Sequence, residues 1–126
     1  MPVTGLDPYD DQNIFAKILR GEIPNKTVYQ DEFVLAFHDI APQAPVHVLV
    51  IPKGAYVSAR DFAARASDQD IAGFWRAVGR VAADLGLETE GYRLLSNHGL
   101  NAGQEVPHFH VHLFGGGPLG RMIQPS

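Results

Sequence analysis

The chain contains no cysteine. Disulfides, thiolate catalysis and cysteine-based zinc or iron–sulfur sites are thereby excluded, and the lack fits a reducing compartment. No stretch approaches the ~18 apolar residues of a membrane span. Met1–Asp10 lacks the basic start and apolar run of a signal peptide, so a cytoplasmic location without a membrane partner is expected. Basic residues are in deficit as well: 10 Lys and Arg against 14 Asp and Glu give a net charge of −4. A nucleic-acid surface needs a basic stripe, so no nucleic-acid partner is expected. A small phosphorylated ligand is not excluded, because a few backbone N–H groups and imidazoles supply enough local positive potential. Repeats, low-complexity segments and charge blocks are missing too.

What is present fits one globular domain. At 126 residues, 45% hydrophobic and 19% charged, the chain can bury one core but not two. Residues 1–12, with Pro2, Gly5 and Pro8, are expected to form a flexible arm before a single domain over 13–126. Asn13 is placed to cap a short helix through Leu19–Arg20, with Ile14, Phe15, Ile18 and Leu19 as its apolar face and Gly21 as its stop. Thr27–Gln30 and Phe33–His38 read as a hairpin across Asp31-Glu32. Prolines 42 and 45 make a loop, and His47–Ile51 is a strand ended by Pro52. From Ser67 or Asp68, Ile71, Phe74, Val78, Val81, Ala82 and Leu85 recur at helical spacing until Gly86. Tyr92–Ser96 is a short strand, and Asn97–Gly103 a turn-rich loop. Five strands with two helices indicate an α+β fold on an antiparallel sheet.

The chemistry concentrates in His108-Phe109-His110-Val111-His112, followed by Leu113-Phe114 and three glycines. Alternation at period two is strand geometry, so the three imidazoles share one face while Phe109, Val111 and Leu113 enter the core. Neighbouring rings, two residues apart, are separated by roughly 6.6 Å, within reach of one small anion. On spacing alone the pattern is compatible with a solvated face, a zinc site, or phosphate and acid–base chemistry. Its flanks favour the last. No carboxylate lies within the triplet, and rings so spaced on one strand close poorly on a single ion. Upstream lies a loop rich in N–H donors, which suits an anion. Downstream, Gly115–Gly117 remove side chains where a ligand or backbone approaches closely. No metal or other cofactor is expected.

The run from Gly103 to Phe114 resembles the histidine-triad (HIT) signature, in which three histidines alternate with hydrophobic residues. Ile14–Ile18, Gly21-Glu22-Ile23-Pro24 and Ala36–His47 resemble the Hint branch of nucleotide-binding phosphoramidases, so the likeness runs from Asn13 to Pro118. The resemblance implies a HIT-like fold, with two five-stranded sheets joined into a ten-stranded one across a homodimer. It implies hydrolysis of purine nucleoside 5′-phosphoramidates to the nucleoside monophosphate and an amine. His110 corresponds to the nucleophile that forms a nucleotidyl-histidine. His112 and His47 correspond to phosphate neighbours and His108 to a supporting residue. Phe15, Ile18, Phe37 and Ile40 resemble the residues enclosing the purine, although each singly also reads as core. Asp39 corresponds to a ribose ligand, and alone it reads equally as a turn former. Asn97 and the N–H groups around Gly103 and Glu105 would hold the phosphate. His38 and His98 are read as structural or exposed.

Glu105 departs from branch members, such as the vertebrate proteins, that carry a hydroxyl residue there. A carboxylate cannot donate to phosphate, so only its backbone N–H is carried over. The fragile-histidine-triad branch of diadenosine-polyphosphate hydrolases shares the triplet but carries Gln where Asn97 stands and Pro-Arg where Gly115-Gly116 stand. That reading, and a non-catalytic nucleotide-binding module, are the alternatives.

Overall fold

A computed structural model describes residues 2–124; Met1 and positions 125 and 126 of the expected domain lie outside them. The described residues form α1 (Ile14–Leu19), β1 (Thr27–Gln30), β2 (Val34–His38), β3 (Val46–Pro52), α2 (Ala59–Arg65), α3 (Asp68–Asp84), β4 (Arg93–Leu95) and β5 (Val111–Gly115). All pairings are antiparallel, in one five-stranded sheet of order β1-β2-β3-β5-β4.

Local chemistry accounts for most of the boundaries. Asn13 Oδ1 accepts from Ala16 N at 2.9 Å, and Ser67 Oγ from Asp70 N at 3.0 Å, so both predicted helix starts are side-chain caps. Asp31 Oδ1 accepts from the Phe33 and Val34 amides at 2.7 and 2.9 Å, which closes the β1–β2 hairpin.

The sheet separates two apolar layers. Phe74, Ala77, Val78, Val81 and Ala82 of α3 pack on Val34, Ala36, Val48, Val50, Phe109, Val111 and Leu113. The alternate residues Leu35, Phe37, Leu49 and Ile51 point the other way and meet Phe15 and Ile18 of α1. Strands β2 and β3 therefore carry apolar residues on both faces, as strands covered from both sides must.

The structure corrects the expectation of two helices: the described residues form three. The additional α2 is capped by Ser58 and carries an Asp61–Arg65 ion pair one turn apart. Its single buried residue is Phe62, so it shows no apolar stripe to read. A second correction concerns the histidine strand, whose ladder begins only at Val111. The backbone before it is engaged elsewhere: Phe109 N donates to Tyr56 O at 2.7 Å, and Ser96 Oγ donates to His110 O at 2.8 Å. The alternation itself survives, since Phe109, Val111 and Leu113 are all in the helix-covered core. At two of the three glycines it is the protein's own chain that approaches closely: a Cβ at Gly115 would sit 3.0 Å from Leu87 Cδ1. Gly116 has φ +85°, and a Cβ there would sit 3.0 Å from Pro45 Cβ.

Candidate active site

On the face away from α3, a cleft of about 500 Å³ opens between α1, the end of β2 and the Asn97–Val106 loop. Its lining includes Phe15, Ile18, Phe37, Asp39, Ile40, Asn97, Gly103 and Glu105, together with His110 and His112. All eight residues expected to bind the nucleotide, and two of the four histidines, therefore border one cavity. His47 and His108 do not; they lie behind it, 2% and 0% exposed. Ile40 stands at the opposite extreme, 97% exposed at the lip. His38, read as structural or exposed, is exposed and also borders the cleft.

The partners of the four imidazoles assign their tautomers. His110 Nδ1 lies 2.7 Å from the His108 carbonyl, which can only accept, so Nδ1 carries the hydrogen and Nε2 keeps its lone pair. His108 Nε2 lies 2.9 Å from Pro52 O and donates to it, leaving Nδ1 as the acceptor for the Tyr9 hydroxyl at 2.7 Å. The Gln43 amide donates to His47 Nδ1 at 3.1 Å, so His47 carries its hydrogen on Nε2. That Nε2–H faces His112 Nδ1 at 2.9 Å. His112 must then accept at Nδ1 and present Nε2–H as a donor. Two rings at the cleft thus differ in kind: His110 offers a lone pair and His112 a proton.

Burial keeps these rings neutral. Desolvation lowers His110 despite the opposing bond to the His108 carbonyl and the charges of Asp39 and Glu105. His112 is pushed down to about 4 by burial and by neighbouring His110 and His47. His108 is pushed down to about 4, chiefly by burial. His47 is lowered by burial against the opposing pull of Asp39.

Asp39 takes up the turn-forming role, with Oδ1 accepting from Ala41 N at 2.8 Å, and also lies on the cleft lining. Its Oδ2 is 3.4 Å from His47 Nε2. Asp39, His47 and His112 bring one ligand atom each within 4.8 Å of one another. The two histidine nitrogens, however, are joined through one hydrogen at 2.9 Å. Tetrahedral ligation would hold them about 3.3 Å apart and require that hydrogen to leave.

The loop expected to hold a phosphate differs in detail from expectation. Gly103 borders the cleft, but its N–H already donates to Leu100 O at 3.1 Å, and Gln104 N to Gly99 O at 3.0 Å. The Glu105 N–H makes no hydrogen bond among the described residues, and its exposed carboxylate lies at the edge of the cleft. Several contributors escaped sequence reasoning. Ser96 holds the His110 carbonyl, Phe114 stacks on His112 with rings 3° from parallel, and Tyr9 reaches His108. Phe114 could have been found from its two-residue spacing after His112; nothing local marked the other two.

Residues 20–119 match the HIT domain family. A 13.2 kDa HIT-like protein of Azospirillum brasilense is 62% identical over 115 residues, covering 91% of this chain and 94% of that protein. The purine nucleoside phosphoramidase of Escherichia coli K12 is 43% identical over 113 residues, covering 90% and 94% respectively. Among solved structures, a HIT family hydrolase from Clostridium thermocellum superposes with a TM-score of 0.83 at 41% identity, covering 91% of this chain and 99% of that one. A matching family pattern over most of the chain, relatives at this identity and a shared fold lead to one conclusion: the chain belongs to the HIT domain family.

Proposed function

We propose that this protein is a purine nucleoside phosphoramidase, hydrolysing adenosine or guanosine 5′-phosphoramidates to the nucleoside monophosphate and an amine. The observation that carries the reading is His110, whose Nδ1–H is tied to a carbonyl while its ring borders the cleft with Nε2 free. The Nε2 lone pair attacks the α-phosphorus, the P–N bond to the amine breaks, and the departing nitrogen takes a proton from solvent, which the water of the second step gives back. Water then attacks the same phosphorus, the P–Nε2 bond breaks and the imidazole is regenerated. Two displacements replace one difficult step. His112 Nε2–H and the Glu105 N–H are the donors suited to charge developing on the phosphoryl oxygens, and Asn97 lies on the same lining. Phe15, Ile18, Phe37 and Ile40 offer the apolar walls for a purine, and the free lone pairs of Asp39 face the ribose.

A hydrolase of the HIT family and the phosphoramidase relative at 43% identity support this reading. The homodimer belongs to the same proposal. β4 is an open sheet edge, Leu94 on it is 40% exposed and Trp75 on α3 is 46% exposed, features suited to a partner copy. The test is rapid alkaline-quench mass spectrometry, which preserves a P–N bond to imidazole, with a tryptamine–AMP conjugate. A nucleotidyl adduct on His110 is expected, together with turnover that a chelator leaves unchanged. Steady turnover without any adduct, or inhibition reversed by zinc, would overturn the mechanism.

A further inference from the structure

The described residues of the arm before Asn13 contribute nothing to the lining of the cleft, yet the arm reaches the most buried histidine. Tyr9 Oη lies 2.7 Å from His108 Nδ1, 99 residues away in sequence, and the two rings meet edge to face at 5.6 Å. His108 is 0% exposed, with Nε2–H committed to Pro52 O. Its Nδ1 lone pair therefore has the phenol as its donor. The carbonyl of this same residue accepts Nδ1–H from His110.

We infer that Tyr9 is a positioning residue for the nucleophile. Its hydroxyl clamps the His108 ring between the arm and the end of β3, and so fixes the carbonyl that orients His110. The inference rests on the reading of His110 as nucleophile.

The arm is built to deliver this hydroxyl. Ser58 Oγ donates to Gly5 O at 2.8 Å in a buried bond. Gly5 has φ +77°, and a Cβ there would come within 2.7 Å of the His98 ring, so glycine lets the arm lie flat against it. Asn13 Nδ2 donates to Asp10 O at 2.8 Å, which ties the arm to the start of α1. Burial raises the Tyr9 phenol, so it remains a donor across the neutral range. A ring placed only for packing would need none of its hydroxyl geometry.

Tyr9→Phe keeps the ring and removes the donor. Losing one hydrogen bond to a fully buried ring should lower kcat for a tryptamine–AMP conjugate by about tenfold. Because Tyr9 does not border the cleft, KM should change by less than about twofold. In ¹⁵N spectra of the ligand-free protein, the His108 Nδ1 signal should move, and the His110 ring signals with it. A purely structural role would lower the unfolding temperature and leave kcat per folded molecule and the His110 signals in place; that result would overturn the inference. If the native protein fails to turn over the conjugate, the phosphoramidase reading falls. The His110 signals then still decide whether Tyr9 positions that ring.

Discussion

The two faces of the sheet are built under different rules. On the face toward α3, Val34, Ala36, Val48, Val50, Phe109 and Leu113 meet helix residues through shape alone, and no polar side chain is required there. On the opposite face, apolar packing stops at Leu49 and Phe37, and His47, His108, His110 and His112 take over. The first face tolerates exchange of one apolar group for another of similar volume. The second fixes a particular nitrogen of His47, His108 and His110 through a carbonyl or amide of the backbone, and of His112 through the His47 ring. Phe109 and His110 are adjacent in sequence and lie on either side of this divide.

Neighbouring substitutions should therefore fail in different ways. His110→Ala is expected to lower turnover by at least ~10³-fold while AMP still binds, read by steady-state kinetics and calorimetric titration. Comparable turnover in the variant would remove the nucleophile assignment. Phe109→Ala opens a cavity among Phe62, Phe74 and the α3 stripe. It should cost about 3–5 kcal/mol in urea unfolding, with kcat per folded molecule far less affected. A selective loss of kcat there would erase the distinction between the faces.

The histidine face should also give the protein an acid-sensitive side. His108 is held at about 4 in the folded chain and returns to 6.5 on unfolding. Below 6.5 the unfolded chain binds a proton that the folded chain refuses, so stability is fully present above that pH and falls as acid is added. From His108 alone the loss should reach about 2 kcal/mol by about pH 5, measured by urea titration. A flat profile would show that the ring is not held neutral. The smallest effect is expected from Glu105→Gln. Glu105 raises His110 electrostatically, so its neutralisation should move the acid limb of kcat/KM slightly lower in pH. A shift upward would place the carboxylate elsewhere.

The helix-covered face was largely legible in the sequence because periodicity reports burial directly. The stripe of α3 and the alternation around Phe109 both follow from it. Helix α2 was not legible, since Phe62 is its only buried residue and a single apolar position has no period. On the other face, the cleft residues were recoverable because the motifs bring Phe15, Phe37, Asp39 and Asn97 together in order. The tautomers were not. They depend on the Gln43 amide, the Pro52 carbonyl and the Tyr9 hydroxyl, groups that any residue pattern leaves unmarked and only the folded chain brings near the rings. The same holds for the arm: its glycine and prolines suggest looseness, whereas Ser58 and His98, far along the chain, meet it at Gly5.

The neutrality of the four rings has a consequence for turnover. Among the described residues bordering the cleft, none is lysine or arginine, so a phosphoryl group there meets oriented dipoles and no fixed cation. On the phosphoramidase reading, the substrate enters with one phosphoryl charge and leaves as a nucleoside monophosphate carrying nearly two. A cationic pocket would grip that product more tightly than the substrate. Dipoles reward the added charge less, so the absence of a positive side chain helps the site to empty after each cycle.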